Sequence, residues 1–285
     1  MTFTANAESL VSGGHGGVRV WRVKDGEQLA ATMQGRHVLC VAVSKDGRLI
    51  AAGSNDGEVW VWGGTTYQQA LFVRKIPGLP IYDVDFSPDS SRLVSANESN
   101  RTATICDIAA RKKVQTLDHG DRVYAAKYSP QGDKIATATY ESVRVWDSDD
   151  GQLLVDVKVE LVPWRGLLWF DCHLFVTTKD SKITQIDAST GSAISEWSVP
   201  YDYSSWIALP QHGKFIACST KDKITFWDTS THTHLAHIPR RSERGPIAFS
   251  LDNQLAIVSW GQKVIIKTFP LVKVRPRVLS ISSRT

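Results

Sequence analysis

The residues with chemistry to offer in this 285-residue chain are eight histidines, four cysteines and a set of Tyr, Trp and Arg side chains. Metal-assisted hydrolysis needs carboxylates or histidines converging on one point. The densest candidates are His212, His232, His234 and His237. His232 and His234 could share a face, but two ligands without a third make a poor metal site. His15, inside Gly13-Gly14-His15-Gly16-Gly17, reads as a turn residue. No HExxH, GxSxG or Walker-type loop is present. Cys40, Cys106, Cys172 and Cys218 stand apart without a CxxC pair and read as reduced, buried thiols. The expectation is no enzyme, no metal and no cofactor.

Binding is the better use of the remaining side chains. Tyr, Trp and Arg bury large areas at little rotamer cost and dominate interaction hot spots. The candidates here are Tyr82, Tyr124, Tyr140, Trp164, Arg165, Trp206, Trp260, Arg101 and Arg244. Pro239 to Arg244 is the basic cluster nearest to them, and it reads most simply as a solvated loop. These residues act together only if an architecture brings them to one face.

That architecture is written in a period. VRVW, VWVW, ATICD, VRVWD, ITQID, ITFWD and VIIKTF place Trp21, Trp62, Cys106, Trp146, Ile186, Trp227 and Thr268 in register. Successive separations are 41, 44, 40, 40, 41 and 41 residues. A repeat of about 40–45 residues with four short strands marks a β-propeller blade. The expected fold is all-β, a seven-bladed propeller with four antiparallel strands per blade, filling residues 1–285 as one domain. The blades are drawn at 1–34, 35–75, 76–117, 118–159, 160–199, 200–238 and 239–280.

The inner strands are apolar on both faces, as in VAV, AKY and IAF, because a blade sandwiched between two neighbours has no wet side. Asp85 and Lys127 occupy the same inner-strand slot in adjacent units, and an ion pair between them is expected. The chain starts with an innermost strand at Met1, so Leu271 to Leu279 should supply the last outer strand, where Pro276 is tolerated. The ring then closes by packing alone, without a blade shared between the two ends. Its seam between units 7 and 1 should open first in hydrogen exchange.

The residues at the strand ends resemble the WD40-repeat family. Trp146-Asp147 and Trp227-Asp228 carry its name, and Asp107 and Asp187 keep the Asp alone. Phe86-Ser87-Pro88-Asp89 and Tyr128-Ser129-Pro130 resemble its FSPDG turn, and Gly35-Arg36-His37 its GH element. The style also resembles repeat regions of fungal signalling and incompatibility-type proteins. The resemblance implies a His, Ser/Thr, Asp and Trp hydrogen-bond lock in each blade. Unit 4 nearly has it in His119, Thr137, Glu141 and Trp146; unit 2 has His37, Asp56 and Trp62 but Ala52 in place of the hydroxyl. Apolar packing should therefore carry most of the stability.

The net charge of +4 is too small to argue for nucleic acid. No stretch approaches the roughly 20 apolar residues that cross a bilayer, and Met1 runs straight into a strand pattern instead of a leader. The reading is a cytoplasmic, monomeric, non-catalytic scaffold that docks a peptide or protein partner on the loop face around the central channel. The alternative is a small-molecule or glycan-sensing module using the same mouth, as the sensor end of a larger receptor.

Overall fold

The computed structural model describes residues 1–29, 33, 35, 37–67, 69–75, 80–97, 101–162, 166–199, 206–220, 222–239, 245–250, 254–259, 263–268 and 278–282. Every regular element among them is a β-strand, and every pairing is antiparallel between strands adjacent in sequence. Val, Ile, Thr and aromatic residues fill the strands, and Asp, Gly and Ser fill the turns, as the pleat and the left-handed turn positions require.

The blade count differs from the expectation of seven. Six four-stranded blades are formed, by units 2 to 7. Unit 1 is a three-stranded sheet of Thr2–Phe3, Ser9–Gly14 and Gly17–Arg22. Among the described residues beyond it, Gln28 and Met33 form isolated bridges to Trp21 and Val18. Unit 2 comprises Val38–Val43, Leu49–Ser54, Glu58–Gly63 and Gln69–Lys75. Unit 3 comprises Ile81–Phe86, Arg92–Asn97, Thr102–Asp107 and Lys112–Asp118. Unit 4 follows with Ala125–Tyr128, Lys134–Ala138, Ser142–Asp147 and Leu153–Lys158.

Unit 5 holds Leu167–Phe170, His173–Thr177, Lys182–Asp187 and Ala193–Ser198. Unit 6 holds Trp206–Ala208, Phe215–Ser219, Lys223–Asp228 and His234–Pro239. Unit 7 holds Ile247–Phe249, Gln254–Ser259, Lys263–Thr268 and Val278–Ser282. Its described outer strand is Val278–Ser282, which overlaps the end of the expected Leu271 to Leu279; residues 271–277, Pro276 among them, lie outside the described residues.

Inner strands touch in sequence order, and Thr2–Phe3 meets Ile247–Phe249, which closes the ring. The two chain ends stay in separate sheets. The core is divided accordingly, with an apolar cluster at each joint. Val94, Ile105 and Leu117 of unit 3 pack on Ala126, Tyr128 and Ile135 of unit 4. Phe175, Ile183 and Trp197 of unit 5 pack on Ile207, Ile216 and Cys218 of unit 6. Phe3, Leu10 and Trp21 close against Ala248. Burying one such Ile, Leu or Phe side chain contributes about 2 kcal/mol, and none can be buried by its own sheet alone.

Two glycines show how closely the joints fit. Gly151 has φ +73° in the turn before the outer strand of unit 4, and a Cβ there would meet the Gln115 amide of unit 3 at 2.3 Å. Gly213 has φ +64° in the first turn of unit 6, and a Cβ there would meet the Phe170 ring of unit 5 at 2.2 Å.

The outer strands share another device. Their registers shift at Val114, Leu154, Ile194 and Leu235 in units 3 to 6, leaving each as the extra residue of a bulge. All four are exposed apolar side chains on the rim.

Candidate functional site

A second kind of bulge lies on the innermost strand of unit 3. The register of Ile81–Phe86 against Arg92–Asn97 shifts between Ile81 and Asp83, which makes Tyr82 the extra residue of the bulge. Its ring lies 5.2 Å from that of Tyr124 in the next unit. Tyr124 in turn meets Tyr140 edge-on at 4.7 Å and 66°. The three rings form one continuous cluster across units 3 and 4, at separations where edge-to-face pairs add about 1 kcal/mol beyond burial. Tyr82 and Tyr140 are half-buried, while Tyr124 is only 2% exposed and serves as the backing of the other two.

Arg101 lies in the turn between the second and third strands of unit 3. Its backbone is left-handed at φ +54°, its carbonyl accepts the His119 N–H at 3.0 Å, and its guanidinium donates to the Gly120 carbonyl at 3.0 Å. Trp206 lies apart from the tyrosines, half-buried against the apolar cluster of Phe215, Phe226 and Ile247. Trp164, Arg165, Trp260 and Arg244 lie outside the described residues.

Beneath the tyrosines is a polar tie between units 3 and 4. Lys127 pairs with Asp83 at 2.7 Å, not with Asp85 as its slot suggested. Asp83 also accepts the Ala126 N–H at 3.2 Å, and Asp85 accepts the Tyr128 N–H at 2.9 Å. The two carboxylates thus satisfy amides on the open edge of the neighbouring inner strand, and the ammonium neutralises them. Burial raises the Asp85 carboxyl to about 6, with Lys127 pulling the other way. For Lys127 burial favours the neutral amine, but Asp83 and then Asp85 offset it, so the net direction is upward. The lysine stays charged at neutral pH and is no nucleophile. Asp83 was legible in principle, because Asp83 and Asp85 alternate onto one strand face; slot matching pointed to the wrong carboxylate.

The thiols differ from one another. Cys106 and Cys218 are buried, and burial pushes Cys218 up to about 12. Cys40 is half-buried and rises to about 12 through burial and then Asp83. Cys172 corrects the expectation of burial: it is exposed, beside Asp171 and His173. His15 and His37 meet edge-on at 4.8 Å, and no group of three His, Cys, Asp or Glu with metal-binding geometry exists among the described residues. No helix there is long and apolar enough to cross a membrane.

The lock in unit 4 has three members. His119 Nε2 lies 2.6 Å from Thr137 Oγ1, and Trp146 Nε1 donates to the same oxygen at 2.8 Å. His119 Nδ1 faces the Leu117 carbonyl at 3.0 Å, so the expected fourth member, Glu141, is displaced to an exposed turn. Unit 1 keeps a reduced version, Trp21 Nε1 to Ser12 Oγ at 2.8 Å.

A Trp-anchored repeat, a Ser-Pro-Asp turn and this His–Thr–Trp bond set occur together with matching family segments. The WD domain, G-beta repeat family matches residues 27–63, 72–107 and 111–147. The chain carries WD40 repeats.

Curated relatives with WD40 character are similar over part of the chain. WD repeat-containing protein 1 of Gallus gallus is 39% identical over 90 residues, 31% of this chain and 15% of the relative. The small ribosomal subunit protein RACK1y of Oryza sativa subsp. japonica is 26% identical over 150 residues, 53% of this chain and 44% of the relative. The chain therefore spans less than half the length of these relatives. Among solved structures, the β-propeller domain of Cps50 (Swd1) from Myceliophteria thermophila superposes with a TM-score of 0.80. It covers 94% of this chain and 96% of that one at 16% identity, a likeness of β-propeller fold alone.

Proposed function

We propose that this WD40 chain is a non-catalytic scaffold that docks a peptide or protein segment over the mouth of its channel. WD40 propellers as a class serve protein interaction, which supports the reading. The observation that carries it is the tyrosine cluster. A bulge turns Tyr82 out of its ladder and buried Tyr124 joins it to Tyr140; in this reading Arg101 adds a cation to the same rim. Rings held at fixed angles lose few rotamers on binding, so the partner meets a prepared surface. Arg101 adds orientation and association rate more than affinity. Trp164, Arg165, Trp260 and Arg244 extend the same surface in this reading, and Trp206 belongs to its far edge.

The test is crosslinking and capture from native extract with the intact chain and with Tyr82→Ala and Tyr140→Ala. Tyr124 is left alone because it is buried. Partners lost from both variants, with melting unchanged, support docking at the mouth. Partners retained by both variants would move the interaction to another face.

A further inference from the structure

The face that carries the Asp- and Gly-rich turns holds a cavity of about 400 Å³ between units 5 and 6. All four strands of unit 5 contribute to its wall, through Phe170, His173, Phe175, Gln185 and Ile194, and His232 covers it from unit 6. Its size falls in the range of small-molecule sites.

One residue marks it as more than an imperfect joint. In each unit a residue of the second strand pairs with one of the third at this level. The pairs are Ala51–Val61, Val94–Ile105, Ala136–Val145 and Ala217–Phe226 in units 2, 3, 4 and 6. In unit 5 the pair is Phe175–Gln185. A primary amide stands where units 2, 3, 4 and 6 bury Val, Ile or Phe; unit 7 has Lys267 in that slot.

Hydrogen-bond accounting gives the chemistry of the occupant. The lining hydroxyls donate within the protein: Ser195 to Gln185 Oε1 at 2.9 Å, Thr229 to the Gly213 carbonyl at 2.6 Å and Ser230 to Asp228 at 2.7 Å. Gln185 has its oxygen occupied, and its NH₂ has no partner among the described residues. The His173 ring has the Cys172 thiol as neighbour at 3.6 Å. The His232 ring stacks on Trp197 at 4.4 Å and 18°, and the Trp197 indole N–H is buried without a partner among the described residues. The cavity therefore offers the Gln185 amide and two imidazoles, is walled by two phenylalanines, and is lined by no carboxylate; Trp197 lies behind His232 and outside the lining.

His232 sits at φ +58° in the turn position that is left-handed in units 1 to 6, where Gly26, Tyr67, Arg111, Gly151 and Gly191 stand in the others. A left-handed backbone at a residue other than glycine costs about 1 kcal/mol and persists where the surroundings hold it. Here it brings an imidazole over the cavity.

We propose that this cavity binds a small aromatic acid. The ring lies against Phe170, Phe175 and the His232 imidazole, and the carboxylate accepts from Gln185 Nε2 and from the histidines. The site is separate from the tyrosine mouth.

Calorimetry of the whole chain with indole-3-carboxylate, and with indole as the probe lacking an acceptor, tests this. Saturable 1:1 binding of the acid, at least about tenfold tighter than indole, is the expected result, one charge-assisted bond being worth that factor. Gln185→Val restores the apolar slot of units 2 and 4, so the variant should fold and lose the acid by about tenfold or more. Ile194→Asp, at an exposed rim position, should weaken the acid and spare indole. No binding of either probe, equal affinity for both, or an unchanged affinity in the two variants would overturn the proposal.

Discussion

Asp83 and Lys127 face one another across the joint between units 3 and 4 at 2.7 Å, and the same carboxylate accepts the Ala126 N–H. Charge pairing and backbone satisfaction are thereby fused at one point. Lysine 127 is 27% exposed and Asp83 18%, so channel water screens part of the attraction.

Removing either partner strands the other. Asp83→Leu should cost about 2–3 kcal/mol and Lys127→Met about 2 kcal/mol, the aspartate costing more because it also leaves an amide unpaired. The double variant should be clearly more stable than the sum of the singles predicts, since neither charge remains. Urea unfolding of the four proteins measures this cycle, and strict additivity would mean that the two groups do not interact.

Asp85 makes this joint sensitive to pH. Burial raises its carboxyl to about 6, whereas an unfolded chain ionises Asp near 4. The folded state binds the proton more tightly, so the contribution is fully present below about pH 4 and is lost as pH rises through about 6. Relative to Asp85→Asn, wild type should lose about 2 kcal/mol over that interval. A difference that stays constant between pH 4 and 6.5 would contradict it.

His119 works in the opposite sense. Burial holds the imidazole neutral and lowers it to about 4, while an unfolded histidine takes its proton near 6.5. The stability it provides is present above about pH 6.5 and is lost as pH falls through about 4. Ring nitrogen shifts should report a neutral His119 at pH 5.5. Thr137→Val, which removes the oxygen shared with Trp146, should cost about 2 kcal/mol in urea unfolding at neutral pH.

The sequence carried the ring plainly, because Trp21, Trp62, Trp146 and Trp227 repeat on a strand-end period that no helix would keep. It overstated unit 1, since among the described residues Gln28 and Met33 pair as isolated bridges and a three-stranded sheet is formed. Tyr82, Tyr124 and Tyr140 were legible as neighbours by slot alignment, whereas the burial of Tyr124 depends on packing between units and has no local signal. The Asp83–Lys127 pairing is diagonal, so matching slots named Asp85 instead. Gln185 was visible as an amide in a slot that units 2, 3, 4 and 6 fill with Val, Ile or Phe, but its meaning required the cavity beside it.

The rim bulges at Val114, Leu154, Ile194 and Leu235 break the outermost ladder of each blade that carries them. A bulged, sharply twisted border is a poor template for a foreign chain seeking straight backbone pairing. Oily side chains sit on that perimeter without making it sticky in register. The wheel can hence be crowded against others of its kind in solution and resist end-to-end growth into fibrils.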